Sequence, residues 1–570
     1  RNGARKMLNS PQTKNRSFRF KFALVVIAVG VVLLIALGSR TGRESWLTFL
    51  ERSFQVDLGM SGAAGNQVRI SPSDAWCNVI NQAAPGTEVV FAPGQYSTTC
   101  SITVRGTAAA PVVVRSEVEG QAAFTYGGTT SNVLEVRGAA YLTIRGFAFG
   151  PTQRGVDGIR LHQVNNILIE RNTFTRMGGV SIQANDAGTT IPGLIIRDNS
   201  LIDLQTTGIY LGCHEGNCKV QNAVVERNFI NGVVSPGTGY GVEIKLNSYA
   251  TLRDNTVYNP QGPGRMVYGS NQGDPPSIVE GNYIEGSRNE GGVVVGGGPA
   301  IVRNNVLVNN ARGGVSAQNY GGRGLQQNIW IVFNTILNNA DSGINVQNWV
   351  AGAGNVIAYN AIAPRSGTSA LRPSPPAGTI VGNVTCNPAT VCFNAPSSAP
   401  YDLWPLAGGP LADAAGSGSE AWRPPDDFMG VARGSAADTG GFERTSSGSG
   451  PRVGGGGPRP LRGTSGPPVG DSTPPTVSIT APSNGQMVSG TITISASASD
   501  NVGVVSVQFK VDGANTGAED TVAPFSYSLN TASVSNGSHT VTAVARDAAG
   551  NSTTRAAATI TVNNVATPPD

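Results

Sequence analysis

The sequence is short of the residues that carry most enzyme chemistry. Among 570 residues there are 3 histidines, 6 cysteines and six lysines (Lys6, Lys14, Lys21, Lys219, Lys245 and Lys510). Aromatic residues make up 6% and charged residues 13%. So little histidine gives no support to imidazole-based catalysis. Few charges and few aromatics suit tight turns and stacked strands better than packed helices. A basic stripe is also missing. Seven Lys/Arg lie within residues 1–21, and without them 33 bases face 36 acids. A nearly neutral body excludes nucleic acid as the main partner. Glycine is abundant at 75 residues, near twice its usual share of about 7%. A hydrophobic content of 39% is enough for a large core. At roughly 150 residues per domain, the length allows about two to four domains.

Residues 1–21 form a basic n-region, and Phe22 to Gly38 run without a charged or strongly polar side chain. This is the pattern of a secretory signal, with Ala36-Leu37-Gly38 as small residues for cleavage. The same stretch sits at the lower end of the spanning range, so a retained membrane anchor is the alternative. Either form takes the body out of the cytoplasm, to a secreted or cell-surface location. The membrane is a partner only through this segment, and 39–65 read as juxtamembrane. The cysteines fall into local pairs: Cys77 with Cys100, Cys213 with Cys218, and Cys386 with Cys392. An even count in an exported chain favours disulfides. A zinc site at Cys213-His214-Glu215-Gly216-Asn217-Cys218 would lack its second ligand pair.

An internal repeat indicates the architecture. Short alternating segments end in Asn: ILIERN (167–172), LIIRDN (194–199), VVERN (224–228) and TLRDN (251–255). The series continues to Asn282, Asn305, Asn334, Asn360 and Asn383, at intervals of 23 to 29 residues. A second alternating strand lies between copies, as in GIRLH (158–162), GIYLG (208–212) and GVEIK (241–245). Strand-only repeats of this period predict a parallel β-helix. The recurrent Asn is expected to be structural, tolerating a left-handed turn and stacking its amide from coil to coil.

These repeats resemble the right-handed parallel β-helix, pectate-lyase-like superfamily. The entry segment AAPGTEVVFAPGQYSTTCSITVRGTAAAPVVVRSE (83–117) is similar to the first coil of the chondroitinase-B/alginate-lyase family. The closing segments at 401–416 and 426–443 resemble the last coil of secreted bacterial β-helix proteins. The helix is therefore placed at 66–445, followed by a Gly/Pro/Ser linker at 446–475. Short strands with turn signals then predict a β-sandwich at 476–563. SASASDNVGVVSVQFKVDG and HTVTAVARDAAGN make it resemble bacterial Ig-like domains. Thr473-Pro474-Pro475 recurs as Thr567-Pro568-Pro569, so 564–570 read as a linker to a further module. The expected fold class is all-β: a right-handed parallel β-helix and then an Ig-like sandwich.

Aligning the second strand coil by coil gives two outward columns. One reads Arg160, Ser181, Tyr210, Glu243, Val267, Val294, Ser316, Asn345. The other reads His162, Gln183, Gly212, Lys245, Gly269, Gly296, Gln318, Gln347. Amides and small residues on such a face suit sugar hydroxyls. Arg160, His162, Gln183, Glu243, Tyr268, Gln318 and Gln347 are candidate substrate contacts. Lys245 lies between two glycines in this alignment and is read as uncovered. β-Elimination of a uronate polymer needs a base, a cation for the carboxylate and a donor to the leaving oxygen. Lys245, Arg265 and Tyr210 are the candidates for those roles, with Glu243 and Asn247 as calcium ligands if calcium assists. The bland alternative is an exposed Glu243–Lys245 salt pair.

Chondroitinase-B-like lyases carry Glu-x-Glu, then Lys, and Arg-His-Gly in the next coil. Here the stretches are Glu243-Ile244-Lys245-Leu246-Asn247 and Val267-Tyr268-Gly269, so only Glu243 matches in kind. The resemblance thus implies an exported protein that binds an acidic, uronate-containing polysaccharide and leaves eliminative cleavage open. A non-catalytic surface or matrix adhesin, with both modules as stiff display elements, is the alternative.

Overall fold

The computed structural model describes residues 66–564 except 236–238, 272, 320–324, 351–353, 375–377, 417–418, 420, 435–436, 445–451, 460–474, 500–503, 518, 521–524 and 548–551. The apolar run 22–38, its flanks and residues 565–570 lie outside the described residues. Among the described residues no helix is long and apolar enough to cross a membrane.

The strands wind into a parallel β-helix with three faces. Sheet A runs from Gln67–Ile70 to Thr379–Val381, sheet B from Gly94–Tyr96 to Val384–Thr385, and sheet C from Cys100–Ile102 to Ser369–Ser374. They hold 14, 12 and 11 strands, and every neighbour within them is parallel. Period-2 alternation sends Ile, Val and Leu of each strand into one continuous lumen. The N-terminal end is closed by the helix Trp76–Asn81, whose Trp76 ring lies 5.8 Å from Phe91 and 5.3 Å from Phe124. All three expected disulfides are present: Cys77–Cys100, Cys213–Cys218 and Cys386–Cys392.

The nine recurrent asparagines form a single ladder between sheets A and B, buried up to Asn360 and half-buried at Asn383. Each amide nitrogen donates to the next amide oxygen, from Asn172 to Asn199 at 3.1 Å through to Asn360 to Asn383 at 2.8 Å. Each oxygen also accepts the backbone N–H of the preceding Asn, as in Asn228 to Asn255 at 3.0 Å. The left-handed residue is the one before the Asn: Arg171, Asp198, Arg227, Asp254, Phe333 and Tyr359 all have positive φ. The amide is thus the satisfier of the corner's backbone rather than its bend. Asn255→Ala would take from the Asn228 backbone N–H and side-chain amide the oxygen that accepts both. We expect a cost of about 2–4 kcal/mol, read from urea unfolding midpoints.

Past the last coil, the chain folds back over the outer face of sheet B. Leu403, Trp404, Phe428 and Phe442 pack there on Tyr258, Tyr283, Val306 and Leu337. Residues 452–459, within the segment read as linker, lie on the same face. Gly456 N–H donates to Tyr258 Oη at 3.2 Å, and Arg459 pairs with Asp254 at 2.7 Å. In this strap Arg433 is buried with Asp427, Asp438 and Glu443 around it. Burial pushes all three carboxyls up, Glu443 to about 7. The folded Glu443 therefore holds its proton more tightly than the unfolded one. Its contribution to stability is full below its ordinary value of 4.5 and is lost as pH rises through about 7. Glu443→Gln should flatten this decline when thermal midpoints at pH 5 and pH 8 are compared.

The sandwich is built from sheets of three and five strands within Thr476–Val562. Its core holds Val477, Ile494, Val507, Phe509, Val541 and Ile560.

Candidate functional site on the outer face of sheet C

Sheet A carries Arg–Glu pairs on its outer face, as in Arg197–Glu170 and Arg253–Glu226, and the candidate residues lie on sheet C. Its register sets the column Glu135, Arg160, Gln183, Tyr210, Glu243, Met266, Val294, Ser316, Asn345, Arg372. Two positions differ from the sequence alignment. Gln183, rather than Ser181, pairs with Arg160, because the strand begins two residues later after Gly179. Met266, rather than Val267, pairs with Glu243, and Val267 lies in the lumen.

The same register corrects Arg265. It pairs with inward Val242, and its side chain is fully buried in the lumen. Nη1 donates to Gly264 O at 2.9 Å, while Nε and Nη2 find no partner among the described residues. Burial alone pushes this guanidinium down to about 9. It cannot meet a substrate carboxylate on the outer face.

Lys245 is not uncovered either. Its backbone N–H donates to Leu211 O, and that of Tyr268 donates to Ile244 O, so Tyr268 replaces Gly269 as the next residue in its column. The ammonium lies 4.9 Å from the Tyr210 ring and 4.4 Å from that of Tyr268. It pairs with Glu243 at 2.5 Å and lies 3.3 Å from His214 Nδ1. Lys245 is 4% exposed and Glu243 2%, so the exposed-pair alternative fails as well. Gly212 makes the room: at φ +93, an added Cβ there would sit 2.4 Å from Ser248 Oγ and 3.0 Å from Lys245 Cβ. Burial pushes the Glu243 carboxyl up, against the Lys245 charge and the hydrogen bonds from Lys245 and Tyr268.

The two candidate calcium ligands, Glu243 and Asn247, already have partners in the protein. Glu243 is engaged by Lys245 and Tyr268, and Asn247 donates its amide to Gly216 O at 2.8 Å. Among the described residues no cluster of three His, Cys, Asp or Glu converges on a metal position.

Toward the N-terminus, the candidates Arg160, His162 and Gln183 join a network whose other members, Glu135, Arg137, Asn185 and Asp186, sequence reasoning missed. His162 bridges Glu135 and Asp186, each at 2.5 Å. Arg160 reaches Gln183 at 3.3 Å, Asn185 at 3.1 Å and Asp157 at 3.4 Å. Arg137 pairs with Glu135 at 2.8 Å and keeps half its side chain exposed. Burial pushes the Asp157 carboxyl up. Burial opposes ionisation of Glu135 too, but hydrogen bonds from Asn132 and His162 and nearby positive charge outweigh it, leaving its carboxyl below the usual range. Glu135 and Arg137 could have been found from the alternation in LEVR (134–137). Asp186 sits in a loop and gives no such signal.

In mid-face, Met266, Tyr268 and Val294 pack with Tyr240 and Leu246 into an apolar patch. Half-buried Gln318 and exposed Gln347 lie beyond it, apart from the Arg160 network.

Residues 99–238 and 234–369 match the family described as right handed beta helix region, and 475–543 match bacterial Ig domain. No curated protein matches the chain. Among solved structures, it is similar to a mutant of the PL6 family alginate lyase AlyGC, at 14% identity over 60% of this chain and 55% of that one, with TM-score 0.38. A PL6 family polysaccharide lyase from Pseudopedobacter saltans is similar at 14% identity over 56% and 92%, with TM-score 0.36. The fibronectin(III)-like modules of Clostridium thermocellum CbhA align at 29% identity over 16% and 48%, with TM-score 0.15. The chain spans about half the length of the CbhA modules and of AlyGC. It is a right-handed parallel β-helix followed by a bacterial Ig domain.

Proposed function

We propose that the β-helix is an extracytoplasmic carbohydrate-binding module that takes an acidic polysaccharide on the N-terminal half of sheet C. One observation carries the reading. Glu135, Arg160, Gln183 and Tyr210 stand in a single register column, with Arg137, His162 and Asn185 beside them. Coils about 4.8 Å apart repeat these polar groups along the axis, as a linear polymer repeats its hydroxyls. The guanidinium of Arg137, paired with Glu135 on one side and half exposed on the other, can also meet a carboxylate, and the half-buried Tyr210 ring offers a sugar an apolar face. Three disulfides suit an oxidising compartment. Export through residues 1–38, by a cleaved signal or a retained anchor, belongs to the same proposal.

Eliminative cleavage is the second reading, favoured by the convergence of Lys245, Tyr210, Tyr268 and His214. Against it, Lys245 and Glu243 are 4% and 2% exposed and paired with each other at 2.5 Å, so neither is open to a polymer on the outer face. The carboxylate partner assigned to Arg265 is also missing from the face.

The test is retention of the full chain on immobilised alginate and polygalacturonate, beside Arg160→Ala/Tyr210→Ala. Retention that falls by about tenfold or more in the variant supports the sheet C site. Equal retention of both proteins, or none by either, overturns it.

A further inference from the structure

The corner where sheet B strands turn into sheet C strands holds a groove of about 810 Å³. Ligand pockets typically fall at about 300–1,000 Å³. Buried Ser287 and Asn310 lie at its base, Asn309 and Asn338 line it, and Arg288 and Arg365 stand three coils apart.

The corner is internally braced. Asn310 accepts the Ser287 N–H at 3.1 Å and donates to Asn339 at 2.8 Å. Asn338 donates to Asn309 at 2.6 Å. Nearby carboxylates are already engaged: Glu290 with Arg312, Asp341 with Arg372, and Glu285 with the Tyr283 hydroxyl. Arg288 and Arg365 are exposed, and neither has an ion-pair partner among the described residues. The groove is thus left with two uncommitted positive ends and an amide-bearing middle.

We infer that this corner is a second binding groove, separate from the sheet C face, for an anionic linear polysaccharide. Three coil steps place the two arginines on the order of 14 Å apart along the axis. One small anion cannot engage both, whereas an oligosaccharide with carboxylates at intervals can. Asn309 and Asn310 are spent on the corner's own bonds, and the carbonyl oxygen of exposed Asn338 can accept from a sugar hydroxyl. Among the described residues no aromatic ring lines the groove, so they offer none of the stacking that single-stranded nucleic acid uses.

The experiment is calorimetric titration of the full chain with a short oligogalacturonate, a neutral cello-oligosaccharide and inorganic sulfate. It is run first in the Arg160→Ala/Tyr210→Ala background, where the sheet C face is disabled. Binding of the oligogalacturonate should persist there and weaken with added salt. Adding Arg288→Ala/Arg365→Ala should then lower affinity by at least about tenfold, with the neutral sugar unaffected by either change. Both arginines are exposed and unpaired, so the quadruple variant should keep the thermal midpoint of its parent. No binding in the sheet C background, or binding indifferent to the two arginines, overturns the groove and leaves the sheet C reading untouched. Equal competition by sulfate also overturns it, as an isolated anion site. Binding that depends on Arg288 and Arg365 stands even if the sheet C site fails.

Discussion

Arg265→Met is expected to stabilise the protein by about 2–4 kcal/mol, because it removes a buried, unpaired charge at nearly constant volume. Aliphatic residues occupy this position in neighbouring coils, namely Ile209, Val242, Val293 and Val315. The guanidinium keeps one hydrogen bond there and leaves Nε and Nη2 without partners. Its folded value of about 9 lies well below the ordinary guanidinium value, so the folded state binds this proton more weakly than the unfolded state. The penalty is present in full below about pH 9 and is relieved as pH rises from there. The gain from methionine should therefore shrink between pH 8 and pH 10 in chemical unfolding. A loss of stability would mean that the lumen supplies Arg265 with a partner.

Lys245→Met is expected to act in the opposite direction, costing about 3–5 kcal/mol by leaving the Glu243 carboxylate buried and uncompensated. Glu243→Leu added to it should recover most of that loss, since a well-packed apolar pair is often neutral against a buried ion pair. The pair is enclosed by Tyr210 and Tyr268, so the recovered double variant also loses two cation–π contacts of about 1 kcal/mol each. A double-mutant cycle on urea unfolding measures the coupling. A near-zero coupling would mean that water reaches the pair.

What could be read from the sequence follows from how local each signal is. The asparagine ladder was legible because every rung recurs at the same point of its coil, so one chemical role explains all nine residues. The disulfides were legible for a related reason, since each joins cysteines near in sequence. Arg265-Met266-Val267 gave no local answer: alternation allows either Arg265 and Val267 or Met266 to face the lumen. Polarity argued for an outward arginine, but the register with Val242 turned it inward. The burial of Lys245 depends on a ring from the next coil and on the loop clasped by Cys213–Cys218. The Glu135–His162–Asp186 bridge likewise joins residues 27 and 24 positions apart. Contacts between coils need the strand offset, and a variable repeat length hides it.

The central claim is that sheet C binds acidic polysaccharide without cutting it. Its most direct test offers the full chain alginate and polygalacturonate, with and without calcium, and follows the ultraviolet absorbance of an unsaturated uronate end together with retention of the polymer. Polymer is expected to be retained and the absorbance to stay flat under every condition. Rising absorbance would contradict it and restore the Lys245 cluster as an active site, and a polymer that is neither retained nor cleaved would leave sheet C without a carbohydrate role.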